Sequence, residues 1–232
     1  MTRGAYPVAL TIAGSDPGGG AGLQMDMKVF SALGAYAAGI LTAITVQNSA
    51  GVGRVRGIPA DLVEQQLKAV LDDFRPTAMK TGMLWSAENA RAIARQLTRL
   101  PKLPPLVVDP VIWAGDGTRL LSQPGVDALT NEVLPLATLV TPNRVEAEHL
   151  CKRKIRNTEE ARLAAEKLIV MGAKSALIKG GHLKGEVVDV FFDGRRFIEL
   201  RAEKRRAGQI HGTGCALSAG ITAYLAKGLP LG

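Results

Sequence analysis

The sequence predicts an α/β fold built on a mostly parallel sheet, and three observations carry that prediction. Short runs rich in Val and Ile alternate with longer segments of helical period, the rhythm of βαβ units. That rhythm breaks only near the end, where two strand-like runs flank Asp193 and Gly194. The 232 residues, 47% hydrophobic and 22% charged, are enough for one sizeable core and too apolar for a disordered chain. A single domain spanning residues 1–232 is expected.

In chain order, strands are expected over residues 7–13, 39–46, 77–81, 105–109, 137–141 and 174–179. Helices are expected between them, over residues 20–34, 60–74, 86–99, 124–134, 143–151 and 157–172. Pro142 ends the fifth strand and Asn143 is placed to cap the helix that follows. Residues 186–192 and 195–200 read as an antiparallel hairpin closed by a two-residue Asp193-Gly194 turn, and a last helix starts near Thr213. The Pro and Gly residues at 101–105 and 115–117 read as loops rather than a linker. Ligands of open α/β sheets bind outside the carboxyl ends of the strands, so chemistry is sought just after each strand.

Composition narrows the partners. No run approaches the roughly 18 apolar residues of a membrane span, and no cleavage-site pattern follows Met1, so a cytoplasmic protein is expected. Two distant cysteines, Cys151 and Cys215, fit neither a disulfide framework nor a zinc site. The net charge of +8 attracts anions, but the basic residues gather in two clusters, 152–156 and 201–206. Aromatics at 4% give few stacking platforms, which argues against specific nucleic-acid binding.

Several post-strand segments suit a small ligand. Residues 14–22 (Gly-Ser-Asp-Pro-Gly-Gly-Gly-Ala-Gly) match neither a Walker A loop nor a dinucleotide fingerprint, yet their backbone can approach a ligand at a helix start. Asp26, just inside that helix, is placed to accept a hydrogen bond from an amino or hydroxyl group. Gln47 offers a donor and an acceptor to a heterocycle edge, and Met83 suits either a flat ring or core filling. Asp109 could meet a metal or cap a turn. Asn143 and Glu146 are either a reciprocal capping pair or the holders of a hydrated magnesium, and spacing alone leaves both open. Gly212, Thr213 and Gly214 at a helix start expose several N–H groups in one direction, an anion cradle. The same helix field should lower the pKa of Cys215.

Together with Val46-Gln47-Asn48, Lys80 to Leu84, Val108 to Val111, residues 141–147, Lys179 to His182 and His211 to Cys215, the glycine-rich start closely resembles the hydroxymethylpyrimidine and phosphomethylpyrimidine kinases of thiamine biosynthesis. The similarity runs in order from about residue 7 to residue 228. It implies a ribokinase-like three-layer sandwich and transfer of the γ-phosphoryl of ATP to a pyrimidine alcohol and then to its monophosphate. It also implies that Gly14, Asp26, Gln47 and Met83 line the pyrimidine site. Asn143, Lys179 and Thr213 would face the nucleotide, and Glu146, with Asp109, would organise Mg2+. The backbone of Gly212, Thr213 and Gly214 would bind the transferring group, with Cys215 positioning the alcohol and accepting its proton. Relatives of this kind are often homodimers, and the loop at 201–210 suits a lid. Two other readings remain, a pyridoxal or pyridoxine kinase and a pyrimidine sensor without turnover.

Overall fold

The computed structural model describes residues 6–48, 50–180, 187–202 and 212–231. Nine strands form one sheet in the order β3-β2-β1-β4-β5-β6-β7-β8-β9. The strands are β1 (Val8–Ser15), β2 (Tyr36–Asn48), β3 (Gly51–Gly57), β4 (Ala78–Thr81), β5 (Leu106–Val108), β6 (Leu139–Val140), β7 (Ala176–Ile178), β8 (Val187–Phe192) and β9 (Phe197–Ala202). From β2 through β7 every neighbouring pair is parallel, as the alternating pattern requires, and β3, β8 and β9 add antiparallel edges.

The helices are α1 (Gly22–Ala32), α2 (Ala60–Phe74), α3 (Ala87–Thr98), α4 (Gln123–Ala128), α5 (Arg144–Cys151), α6 (Thr158–Val170) and α7 (Thr213–Ala226). Strand periodicity sorts them into two layers. Leu10, Ile12, Met79, Val108 and Ile178 face a large core with α2 to α6, while Ala9, Ala78, Val107, Leu139 and Leu177 face a smaller one with Phe30 of α1 and Ala219 and Ala223 of α7. The second face is small-residue rich, which lets α7 approach the sheet closely. Among the described residues no helix is long and apolar enough to cross a membrane.

Three differences from the sequence reading have local causes. Strand β3 was not expected, because Gly51, Gly53 and Gly57 dilute its alternating valines; it forms as an edge partner of a β2 that runs on to Asn48. The late hairpin turns through four residues rather than two, since Phe192 pairs with Phe197. There Asp193 Oδ1 accepts from the amides of Arg195 and Arg196, both at 2.8 Å, and removes them from the ladder. The helix expected over 124–134 is α only as far as Ala128 and continues as a π turn over Leu129–Val133 and a 3-10 turn over Leu134–Leu136, where Pro135 lacks an N–H.

Candidate active site

Alternation along the strands brings four polar residues to the α1–α7 face at the sheet's centre: Thr11 on β1, Lys80 on β4, Asp109 after β5 and Lys179 after β7. Helix α7 starts above them. Its first turn follows Gly212, at φ 86°, and has neither a capping side chain nor an acidic residue. A methyl group at Gly214 would stand 3.1 Å from Lys179 Nζ, so the lysine lies directly beneath that turn. A cation is repelled by the positive end of a helix, and an anion bound between them would reverse that repulsion. The first-turn amides and the ammonium thus converge on one place for negative charge.

Lys179 is held there by Asp109, whose Oδ1 accepts from Nζ at 3.0 Å while its Oδ2 accepts from Ser218 Oγ, one turn into α7, at 3.1 Å. Burial opposes the charge of Lys179, but Asp109 and Glu146 outweigh it and raise the ammonium above the usual lysine range. Lys179 therefore stays cationic.

The glycine-rich loop closes on itself. Asp16 accepts from the amides of Gly18 at 2.9 Å, Gly20 at 3.1 Å and Ala21 at 2.8 Å. These donors, expected to face a ligand, are taken by the loop's own carboxylate. What the glycines allow instead is close approach: a methyl group at Gly212 would collide with the Gly20 carbonyl oxygen, and one at Gly22, φ 57°, with that of Gly14. The starts of α1 and α7 therefore abut.

Gly14 and Met83 meet as expected, since a methyl group at Gly14 would lie 2.8 Å from Met83 Sδ. Met83 also fills a small cluster with Ala43 and Leu120, the core-filling role left open for it. Gln47 is half-buried on the β2–β3 hairpin at a register shift, while its neighbours Val46 and Asn48 are exposed on the opposite face. Asp26 lies deeper, fully buried: its Oδ2 accepts from Thr11 Oγ1 at 2.6 Å and from Lys80 Nζ at 2.9 Å. Among the described residues its Oδ1 has no hydrogen-bond partner.

Asn143 and Glu146 form the capping pair. Asn143 Oδ1 accepts from the Glu146 amide at 3.0 Å, and Glu146 Oε2 accepts from the Asn143 amide at 3.0 Å. Glu146 Oε1 accepts from the Ile112 amide at 3.1 Å. Both oxygens of Glu146 and both of Asp109 are thus engaged by protein donors, and no cluster of three metal-ligating side chains occurs among the described residues. Of the two arrangements left open for Asn143 and Glu146, the reciprocal capping pair is the one the geometry forms.

Cys215 also departs from expectation. Burial, aided by Asp109 and Asp26 and opposed by Lys80 and the Gly22 amide, pushes its thiol up to about 11. Desolvation and two carboxylates outweigh the helix field, so near neutral pH the group is a thiol and not the proton acceptor expected of it.

A family model described as phosphomethylpyrimidine kinase matches residues 16–232. The chain belongs to this family. It is 49% identical to a hydroxymethylpyrimidine/phosphomethylpyrimidine kinase of Rhizobium meliloti over 97% of this chain and 84% of that protein. A crystal structure of phosphomethylpyrimidine kinase from Clostridium difficile superposes with a TM-score of 0.85 at 39% identity, covering 96% of this chain and 92% of that one. A pyridoxal kinase from Staphylococcus aureus in complex with ADP gives 0.89 at 36% identity, covering 98% and 83%.

In this member of the phosphomethylpyrimidine kinase family, the sequence reading missed Lys80, Thr11, Ser218 and the role of Asp16. Strand alternation could have found the first two, because a lysine in an otherwise apolar central strand needs a buried partner. His182, His211 and residues 203–210 of the expected lid lie outside the described residues. Glu146 yields a pH prediction. Burial is the main cause that raises its pKa, helped by Asp109 and opposed by Lys179 and two amides, from 4.5 to about 7. The folded state therefore holds the proton more tightly than the unfolded chain, and this group's contribution to stability falls as pH rises from 4.5 to about 7. In urea titrations across that window the wild type should lose stability relative to Glu146→Gln; a constant difference between the two would contradict the raised pKa.

Proposed function

We propose that the chain transfers the γ-phosphoryl group of ATP to the hydroxymethyl oxygen of 4-amino-5-hydroxymethyl-2-methylpyrimidine and then to the phosphate of the product, as a step of thiamine biosynthesis. The observation that carries this reading is the uncapped first turn of α7 above Lys179, beside the Gly14–Met83 wall. The names of the relatives agree with it.

In this reading the alcohol oxygen forms a bond to the γ-phosphorus while the bridging bond to the β-phosphate breaks and its electron pair leaves on ADP. Amides of Gly212, Thr213, Gly214 and Cys215, with Lys179, hold the equatorial oxygens where negative charge is spread. A loose transition state leaves the alcohol acidic only late, so no strong base is needed. The Cys215 thiol then orients the alcohol by hydrogen bonding, and the proton passes late to a phosphoryl oxygen. Gln47, Met83, Gly14 and the free Oδ1 of Asp26 are assigned to the pyrimidine, and Asn143, Thr213 and Lys179 to the nucleotide. Magnesium arrives with ATP and neutralises phosphate charge; Glu146 and Asp109 are not assigned as its direct ligands. A homodimer in the cytoplasm and a single domain complete the proposal.

One observation favours a second reading, phosphorylation of pyridoxal: solved pyridoxal kinases share the fold at 36% identity. One assay separates the possibilities. ADP release with magnesium should be seen with the pyrimidine alcohol and with its monophosphate. A preference for pyridoxal above about tenfold in kcat/KM would overturn the pyrimidine assignment, and pyrimidine binding with no ADP release would make the chain a sensor.

A further inference from the structure

Gln47 is assigned to the pyrimidine, yet the hairpin that carries it has little stiffness of its own. Strand β3 lies at the edge of the sheet and pairs with β2 alone. Its residues Gly51, Gly53 and Gly57 add no side chains to pack, which weakens a strand. The register also shifts between Val46 and Gln47, beside the residue that has to be held. A side chain on such a ribbon needs support from outside the ribbon to keep one position against a ring.

That support comes from the segment after β5. Val52, the cross-strand partner of Gln47, donates its amide to Asp116 Oδ2 at 3.0 Å. Asp116 is itself fixed, because its Oδ1 accepts from the Thr118 amide at 2.8 Å. The turn around it is closed by the Ala114 amide donating to the Thr118 carbonyl at 2.8 Å, and a bridge between Trp113 and Arg119 forms its base. A methyl group at Gly51 would collide with Asp116 Oδ2, so the glycine is what lets the carboxylate come close. The two segments meet a second time around Met83, where Val55 of β3 and Val111 and Ala114 after β5 pack on the cluster of Met83 and Leu120. A polar tie and an apolar cluster thus join the hairpin to the Gly14–Met83 wall.

We propose that Asp116 is a positioning residue for the pyrimidine: by holding the Val52 amide it ties the segment after β5 to the β2–β3 hairpin and fixes Gln47, opposite Val52, against the ring. This rests on the kinase reading and on the place of Gln47 within it. Asp116 touches neither the ring nor the migrating phosphoryl group. Its loss therefore weakens binding of the alcohol equally before and during transfer, which raises KM and leaves kcat alone. A tie that served only the fold would loosen the hairpin without moving KM.

The test combines steady-state kinetics with amide hydrogen exchange on the full chain. Asp116→Ala should raise KM for the pyrimidine alcohol by about fivefold or more, with kcat and KM for ATP within about twofold of wild type. Exchange of the Val52 amide should quicken by about fivefold or more as the tip opens. Asp116→Asn keeps one acceptor oxygen for two amides and should fall between the two on both measures; if Asp116→Ala does not fold, Asp116→Asn decides by the same signs. Faster exchange with an unchanged KM for the alcohol would overturn the proposal, as would a fall in kcat with KM unmoved. A wild type that binds the alcohol without turnover would sink the kinase reading alone, and the same weakening would then be read as a Kd by calorimetry. A wild type that neither binds nor phosphorylates the alcohol would overturn the proposal together with the reading it rests on.

Discussion

Replacing Lys179 with Met should lower kcat for the pyrimidine alcohol by about a hundredfold or more while changing KM far less. The reason is geometric. Lys179 Nζ sits beneath Gly214 and is kept charged by Asp109, so its field is aimed at the one place where first-turn amides also converge. Ground-state ATP carries charge that water and magnesium already satisfy, whereas charge shifting during transfer meets only groups fixed in advance. The side chain is 15% exposed, so its effect is little screened. The variant also leaves Asp109 with Ser218 as its remaining partner, which costs stability, and Lys179→Arg would keep the charge but not the fit under Gly214. Steady-state kinetics on both variants, with unfolding curves beside them, checks this. A Lys179→Met enzyme within about threefold of wild-type kcat would remove the lysine from the phosphoryl site.

The second large effect is expected at Gly212. Its φ of 86° alone would cost a non-glycine residue roughly 1–3 kcal/mol, and an alanine methyl would run into the Gly20 carbonyl, which belongs to a loop tied down by Asp16. Neither side can yield without opening the junction of α1 and α7. Gly212→Ala should therefore lose most turnover together with stability. Gly214→Ala makes the contrast: inside the helix alanine is tolerated or favoured, within about 1 kcal/mol, but its methyl would stand 3.1 Å from Lys179 Nζ, in the anion's place. Unfolding midpoints and kcat measured on the pair should separate, with stability lost mainly at Gly212 and turnover lost at both.

Much of the fold was legible because the parallel sheet has two buried faces and announces itself as short runs of Val and Ile between amphipathic segments. The start of α5 was legible from Asn143, which does cap it. Strand β3 was not, since its glycines suppress the pattern and only the partner β2 gives it form. The site was legible as a set of post-strand motifs, and Gly14 with Met83, and Lys179 with Gly214, do come together. Its electrostatics were not. Whether Asp16 binds a ligand or its own loop, whether Glu146 caps or chelates, and whether a helix start lowers a thiol pKa all depend on which donors and carboxylates lie within a few ångströms across the fold, and local spacing does not encode that.

The central claim is that the amides opening α7 grip the migrating phosphoryl group above Lys179. Amide NMR of the isotope-labelled chain tests it most directly. On adding a non-hydrolysable ATP analogue with magnesium and the pyrimidine alcohol, the resonances of Thr213, Gly214 and Cys215 should move downfield as they form hydrogen bonds, and the shifts should shrink in Lys179→Met. If those three amides stay in place while ligand binding perturbs others, the phosphoryl group is held elsewhere and the account is wrong.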